Sequence, residues 1–427
     1  MRRGGYAVLS RLLAPVMGVV LWRRAARNQV AAARRLEWLG RGAPPPQGAW
    51  WVHAASVGEV EAALPLVRGL RERFPAVPVL VTTTTPEGAA RVSAATLEGV
   101  HHRFLPLDLP GAVRRFLVGA RPRAGVIVET ELWPHLFAAC ESADVPLVLA
   151  SGRLSDRAFR RYQGRQPLIG EVLGVPRRIL AQDATAAGRF RALGAPPGRV
   201  EAAGNLKFDR DPPAGAAQGA ALRRALWPAE VPVWAAVSTR EGEDEAVLAA
   251  HAALRRRHPD ARLIWVPRHP QRFDAVARAA GDAGLSVARR SQQAGEPDHS
   301  AGPAVDVLLG DTLGEMGLYL AAADVAFVGG SLVPLGGQNL LEPAALGRPV
   351  LTGPDVSNFA AVARALDAVD ARIEVADGDA LGAALAGLFD DPARMRRMAA
   401  AGQDVVASGR GAVARVLEVL QETVPSA

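Results

Sequence analysis

The chain has 427 residues, 49% hydrophobic and 22% charged, a composition that folds around sizeable cores and excludes bulk disorder; at roughly 150 residues per domain it predicts two or three domains. Its one cysteine, Cys140, excludes an internal disulfide framework and any cysteine-rich metal site. The net charge of +7 is concentrated in residues 1–41, where nine arginines stand against one acid, Glu37, so the rest of the chain is close to neutral; no nucleic-acid partner is expected, because such binders carry a basic face on the folded domain itself.

Between the N-terminal arginine clusters lies Tyr6–Trp22, an apolar stretch broken by Arg11 and Pro15. A spanning helix wants about 20 apolar residues, and the uncharged run Leu12–Trp22 is roughly half that. No small-residue cleavage site lies close to the end of this run, so a removed signal peptide is not expected. Arginine-rich flanks, a short apolar run and a terminal Trp suit a helix lying in or dipping into an anionic leaflet. Residues 1–42 are therefore read as a membrane anchor. A single tilted span and an ordinary amphipathic first helix are the alternatives.

The proline run Pro44–Pro46 closes this segment, and strands alternate with helices after it. Apolar runs predict strands at Ala49–His53, Val77–Thr82, Arg103–Leu107, Ala124–Val128, Pro146–Ala150 and Ile179–Ala181, with helical spacing between them, as in Val60, Ala63, Leu64, Val67 and Leu70. This is the pattern of a doubly wound parallel sheet, and it defines a first Rossmann-like domain over 43–208. Residues 209–232, rich in Pro, Gly and Ala, read as a linker with one short helix. The pattern restarts with strands at Val233–Val237, Arg262–Val266, Val305–Leu309, Val325–Val328 and Pro349–Leu351. A second Rossmann-like domain thus covers 233–427, with a polar insertion at 292–303 and two helices from Asp391.

Ligands bind such sheets at the carboxyl ends of the strands, and the motifs cluster there. In the second half, Phe327–Ser331 ends a strand and Gly336–Pro343 opens a helix, so glycines and helix N–H groups could approach a phosphate. Asn339 and Glu342 also have capping-box spacing, and Glu342 is either that cap or an acceptor for a ribose hydroxyl. The segment fits neither the dinucleotide fingerprint nor the P-loop. Arg268 and His269 follow Pro267 after a strand, where a guanidinium can hold phosphate in bidentate fashion. Leu313, Gly314 and Glu315 follow another strand, and Ser238–Glu243 a fourth. Four such segments in succession point to a nucleotide site.

In the first half, His53–Glu59 follows the first strand and places Glu59 at a helix start. Glu59 is either a general base, if burial raises its pKa toward neutrality, or a first-turn acid complementing the helix dipole. Glu129 and Glu131 come directly after Ala124–Val128, with Trp133 beside them. The run Thr82–Thr85 with Pro86 supplies hydroxyls and a helix start at the same sheet edge. Lys207 is the only lysine in a chain that otherwise uses arginine for every basic position, which suits a need for a compact ammonium between the two halves.

Taken together, VHAASVGEV, TTTTPEGAARV, ETELWPHL, GNLKFD, VPRHPQRF, GDTLGEM and FVGGSLVPLGGQNLLEPA, spread over residues 52–344, resemble the 3-deoxy-D-manno-octulosonate (Kdo) transferases of lipopolysaccharide biosynthesis. The resemblance implies a GT-B fold of two facing Rossmann-like domains, the first binding acceptor and the second donor, and transfer of Kdo from CMP-Kdo to the lipid A precursor lipid IVA at an anionic membrane surface. It further implies Glu59 as general base, Glu129 and Lys207 as residues that steady the transition state, and CMP contacts from Pro267, Arg268, His269, Leu313, Gly314, Glu315, Asn339, Leu340, Leu341 and Glu342. Where the family has His and Pro in the last motif, this chain has Gln338 and Leu340, which puts in doubt any role that needs a protonated imidazole there. The reaction is expected to invert configuration and to need no metal or other cofactor; helix N-termini, Arg268 and Lys207 would supply positive charge. The alternatives are another GT-B nucleotide-sugar transferase or epimerase, and a non-catalytic nucleotide-binding scaffold attached to the membrane.

Overall fold

The computed structural model describes all residues except 1–3, 9, 11, 13–14, 16–27, 212, 214, 293–304 and 425–427. The chain divides into two compact units, residues 1–210 with 409–427, and residues 211–408. Apart from Leu12 and Pro15, the apolar run Leu12–Trp22 lies outside the described residues, as does most of the polar insertion at 292–303.

The first unit is built on β1 (Trp50–His53), β2 (Val79–Thr83), β3 (Val100–Phe104), β4 (Ala124–Val128), β5 (Leu147–Gly152), β6 (Arg178–Ala181) and β7 (Val200–Ala202). All pair in parallel, in the order 3-2-1-4-5-6-7. Helices cover both faces, which is why the inner strands read as unbroken apolar runs. On one face Trp51, Leu80 and Ile127 pack with Phe116 and Phe137. On the other, Trp50, Val52 and Val126 pack with Val60, Leu66, Val67 and Leu70.

The second unit has β8 (Val233–Thr239), β9 (Arg262–Pro267), β10 (Val287–Arg289), β11 (Val307–Leu309), β12 (Val325–Val328), β13 (Val350–Thr352) and β14 (Arg372–Glu374). These are again all parallel, in the order 10-11-9-8-12-13-14. Trp234, Trp265 and Phe327 anchor its core against Val247, Leu254, Leu381 and Leu385. The order turns between β1 and β4 in the first sheet and between β8 and β12 in the second, where β11 is also inserted between β9 and β10. In doubly wound folds the ligand crevice opens at the carboxyl ends of that strand pair.

The stretch read as a linker with one short helix carries helix Ala216–Leu226, which lies so close to helix Met316–Ala322 that a Cβ on Gly219 would overlap Ala321. The C-terminal helix Ala412–Thr423, placed with the second half by the sequence pattern, belongs to the first unit. Its start is held by Asp209, whose carboxylate accepts from Gly411 N–H (2.7 Å) and Val413 N–H (2.8 Å), and Val416, Leu417 and Leu420 join the Val60–Leu70 core.

Candidate active site

At the first crevice, β1 ends in His53, which is fully buried and bonds Thr82 through Nδ1. Burial, opposed by that backbone bond, lowers its pKa to about 4, so the imidazole stays neutral and structural. The chain then turns into helix Val57–Arg73, capped by Ser56. Glu59 reaches back over this start: Oε2 accepts from Ala55 N–H (2.8 Å) and Oε1 from the Ser56 hydroxyl (3.1 Å). The capping geometry and a half-buried carboxylate at the sheet edge coexist in one residue. Burial pushes the Glu59 pKa up to about 7; the Ala55 bond opposes this and the charges of Glu129 and Glu131 add to it. A carboxyl group with that pKa is a competent base near neutral pH.

Glu129 leaves β4 with a left-handed φ of 59°, a conformation that disfavours side chains with a Cβ and persists only where the surroundings hold it. Its Oε1 lies 3.1 Å from Lys207 Nζ and its Oε2 4.0 Å from Arg153 Nε. Lys207 is delivered by the turn Leu206–Asp209 after β7, whose cap Asn205 accepts from Lys207 N–H (3.0 Å) and from the Ser151 hydroxyl (3.2 Å). Glu59, Glu129 and Lys207 thus gather at one sheet edge. Glu131 stands with them, its own pKa raised by burial and then by Glu129; it was legible as the second acid of the Glu129–Trp133 motif.

In the second unit, Pro267 ends β9 buried and Arg268 follows, its N–H on Thr239 O (3.0 Å) and its Nε on Gln338 Oε1 (3.3 Å). His269 is held below its ordinary pKa by burial and by the charges of Arg240, Arg268 and Arg272. Leu313 is 75% exposed, and Gly314 has a φ of 84° with open space around it. Glu315 is bonded by Thr312 and by Arg290 (3.1 Å); these interactions outweigh burial and keep its pKa low. Asn339 Oδ1 accepts from Leu341 N–H at 3.1 Å, and helix Leu341–Ala345 starts from Leu340 without a side-chain cap.

The N–H groups of the glycine loop, expected to face a phosphate, are also otherwise engaged. Those of Gly330, Ser331 and Leu332 all donate to the carboxylate of Glu243, whose importance the sequence pattern does not reveal.

Residues 30–210 match the family model described as 3-Deoxy-D-manno-octulosonic-acid transferase (kdotransferase). The chain is 42% identical over 441 residues to the 3-deoxy-D-manno-octulosonic acid transferase of Bordetella pertussis, covering 99% of each protein. It is 38% identical over 400 residues to that of Haemophilus influenzae, covering 93% of this chain and 92% of the relative. The chain belongs to the Kdo transferase family. It is accordingly a glycosyltransferase of the GT-B fold class. A glycosyltransferase from Rickettsia africae, 10% identical, matches with a TM-score of 0.56 over 89% of this chain and all of that one, a likeness of fold alone. Within this Kdo transferase, Glu59, Glu129 and Lys207 all lie in or at the end of the part that the family model covers.

Proposed function

We propose that the chain transfers Kdo from CMP-Kdo to a sugar hydroxyl of the lipid A precursor lipid IVA in lipopolysaccharide biosynthesis, inverting the anomeric configuration without a metal ion. What carries this is Glu59, a carboxyl group at the first sheet's crevice with its pKa pushed up to about 7. Ionised, it takes the proton of the acceptor hydroxyl as that oxygen attacks the anomeric carbon. The bond from that carbon to the cytidylate phosphate breaks, its electron pair leaves with CMP, and the new glycosidic bond forms on the opposite face. Glu129 and Lys207 act as a charge pair that steadies the transition state. Arg268 offers the guanidinium for the departing phosphate, where preorganised positive charge is worth most. The segments at Leu313–Glu315 and Asn339–Glu342 complete the nucleotide contacts.

We further propose that the protein works on an anionic membrane surface, at the cytoplasmic face of the inner membrane. Among the described residues no helix is long and apolar enough to cross a membrane. Leu36 and Leu39 are 50% and 40% exposed, and Val118 61%, among exposed Arg35, Arg41, Arg114 and Arg115. Leu39 and Arg115 are in contact, the guanidinium donating to Leu39 O at 2.6 Å. Apolar side chains interleaved with arginine favour a surface of anionic lipid.

Mass spectrometry of the lipid after incubating the purified protein with CMP-Kdo and tetra-acylated lipid A precursor tests the activity. A mass gain of one or more Kdo units, with release of CMP, is the expected result, and an unmodified lipid rejects the assignment. Sedimentation with vesicles containing anionic lipid, at low and high salt, tests the surface.

A further inference from the structure

The crevice of the second sheet lies between the ends of β8 and β12, and its floor already holds an anion. Glu243 stands at the start of helix Asp244–Arg255 but gives that helix no side-chain cap. It is fully buried, and it faces the neighbouring loop instead. Its Oε2 accepts the N–H groups of Arg240 (2.8 Å) and Gly330 (2.7 Å), and its Oε1 those of Ser331 and Leu332 (both 3.0 Å). A buried carboxylate persists only when so compensated. Successive N–H groups turned to one point form the kind of concavity that holds phosphate in many nucleotide sites, and here an internal carboxylate fills it. The packing leaves no slack: a Cβ on Gly329 would come 2.7 Å from Glu243 Oε2 and 2.6 Å from Thr239 Cα. Gly330 in turn is lined by Gln338 and Arg240, whose Nε2 and Cγ would lie 3.2 and 3.3 Å from its Cβ, and Gln338 carries Arg268.

We propose that Glu243 is a positioning residue of the donor site, an internal substitute for phosphate that locks the Arg240 turn to the Gly329–Leu332 loop and thereby sets Arg240, Gln338 and Arg268 for the anionic part of the nucleotide. The donor's phosphate is met by these side chains, not by the loop's N–H groups. This rests on the assignment of CMP-Kdo to the second unit. Glutamine at 243 would set an amide NH2 group, itself a donor, against two of the four N–H donors, and aspartate would keep the charge one methylene short.

Calorimetric titration with CMP, together with KM and kcat for CMP-Kdo, on wild type, E243Q and E243D provides the test. The expected result for E243Q is a rise of about tenfold in both the Kd for CMP and the KM for CMP-Kdo, with kcat and the acceptor KM changed far less; E243D should show the same split at about threefold. A role confined to folding would lower the melting temperature and leave Kd and KM of the folded protein at wild-type values, and that result overturns the proposal. If E243Q does not fold, E243D decides by the same split. Failure of the wild type itself to bind CMP would instead refute the donor assignment, an outcome distinct from normal wild-type binding matched by both variants.

Discussion

Lys207 Nζ lies 3.1 Å from Glu129 Oε1, with the two side chains only 14% and 18% exposed, so this pair stands largely out of water at the crevice of the first sheet. An ammonium there is a compact point charge, whereas a guanidinium needs a wider, planar space. K207R should therefore keep the charge and still lose about tenfold or more in kcat, and K207M should lose more. Steady-state kinetics on folded protein checks this, and wild-type turnover by K207R would show that no compact cation is required.

Replacing Glu59 separates chemistry from binding. E59Q should fold and keep its thermal shift with CMP, while transfer falls by about 10²-fold or more, the scale of a lost general base.

The same substitution has a consequence for stability, with a definite sign. The Glu59 pKa is raised from 4.5 to about 7, so folding penalises its ionised form: the handicap is absent below about pH 4.5 and complete above pH 7. At one pKa unit per 1.36 kcal/mol it amounts to about 3 kcal/mol at most. E59Q should melt above the wild type at pH 8 and close to it at pH 4.5. A melting-temperature difference that does not grow with pH would contradict the burial of a charge-averse carboxyl.

The acid limb of the pH profile follows from the same group. In kcat/KM for the acceptor, activity should rise as pH passes about 7, because the base must be ionised. Glu131 adds a like charge, so E131Q should move this limb to lower pH. A limb that stays in place would mean that Glu131 does not influence the base.

Asp209 should act on stability alone. Its carboxylate holds both Gly411 and Val413 N–H at the start of the last helix, so D209A should cost about 1–2 kcal/mol in denaturant unfolding, with KM for CMP-Kdo unchanged.

How far the fold could be read from the sequence depended on where each strand lies in its sheet. Inner strands such as Ala124–Val128 and Val325–Val328 are buried on both faces, and their apolar runs give their limits to the residue. The outermost strands carry no such signal. β7 (Val200-Glu201-Ala202), β10 (Val287-Ala288-Arg289) and β14 (Arg372-Ile373-Glu374) are missed altogether, and β3 begins at Val100-His101-His102, ahead of the expected Arg103. With one side unpaired and partly wet, an edge strand has little use for an apolar run.

The site divides in a similar way. Glu59, Glu129 and Lys207 were visible because each follows a strand or stands out in composition. Glu243 was marked only as the end of the strand-end segment Ser238–Glu243, because its own role lies in partners at 330–332, almost ninety positions along the chain, and those partners are backbone groups with no signature of their own. The capping box at Asn339 had the right spacing, but Asn339 Oδ1 bonds Leu341 N–H two positions on, a local turn that competes with the cap.

The return of residues 409–427 to the first unit makes that unit discontinuous in sequence. A fragment ending at residue 210 would carry Glu59, Glu129 and Lys207 but not Val416, Leu417 and Leu420, which pack beside Val60, Val67 and Leu70, and it would leave that apolar surface open to solvent. The half that carries the base therefore cannot be separated from the nucleotide half by a single cut in the chain.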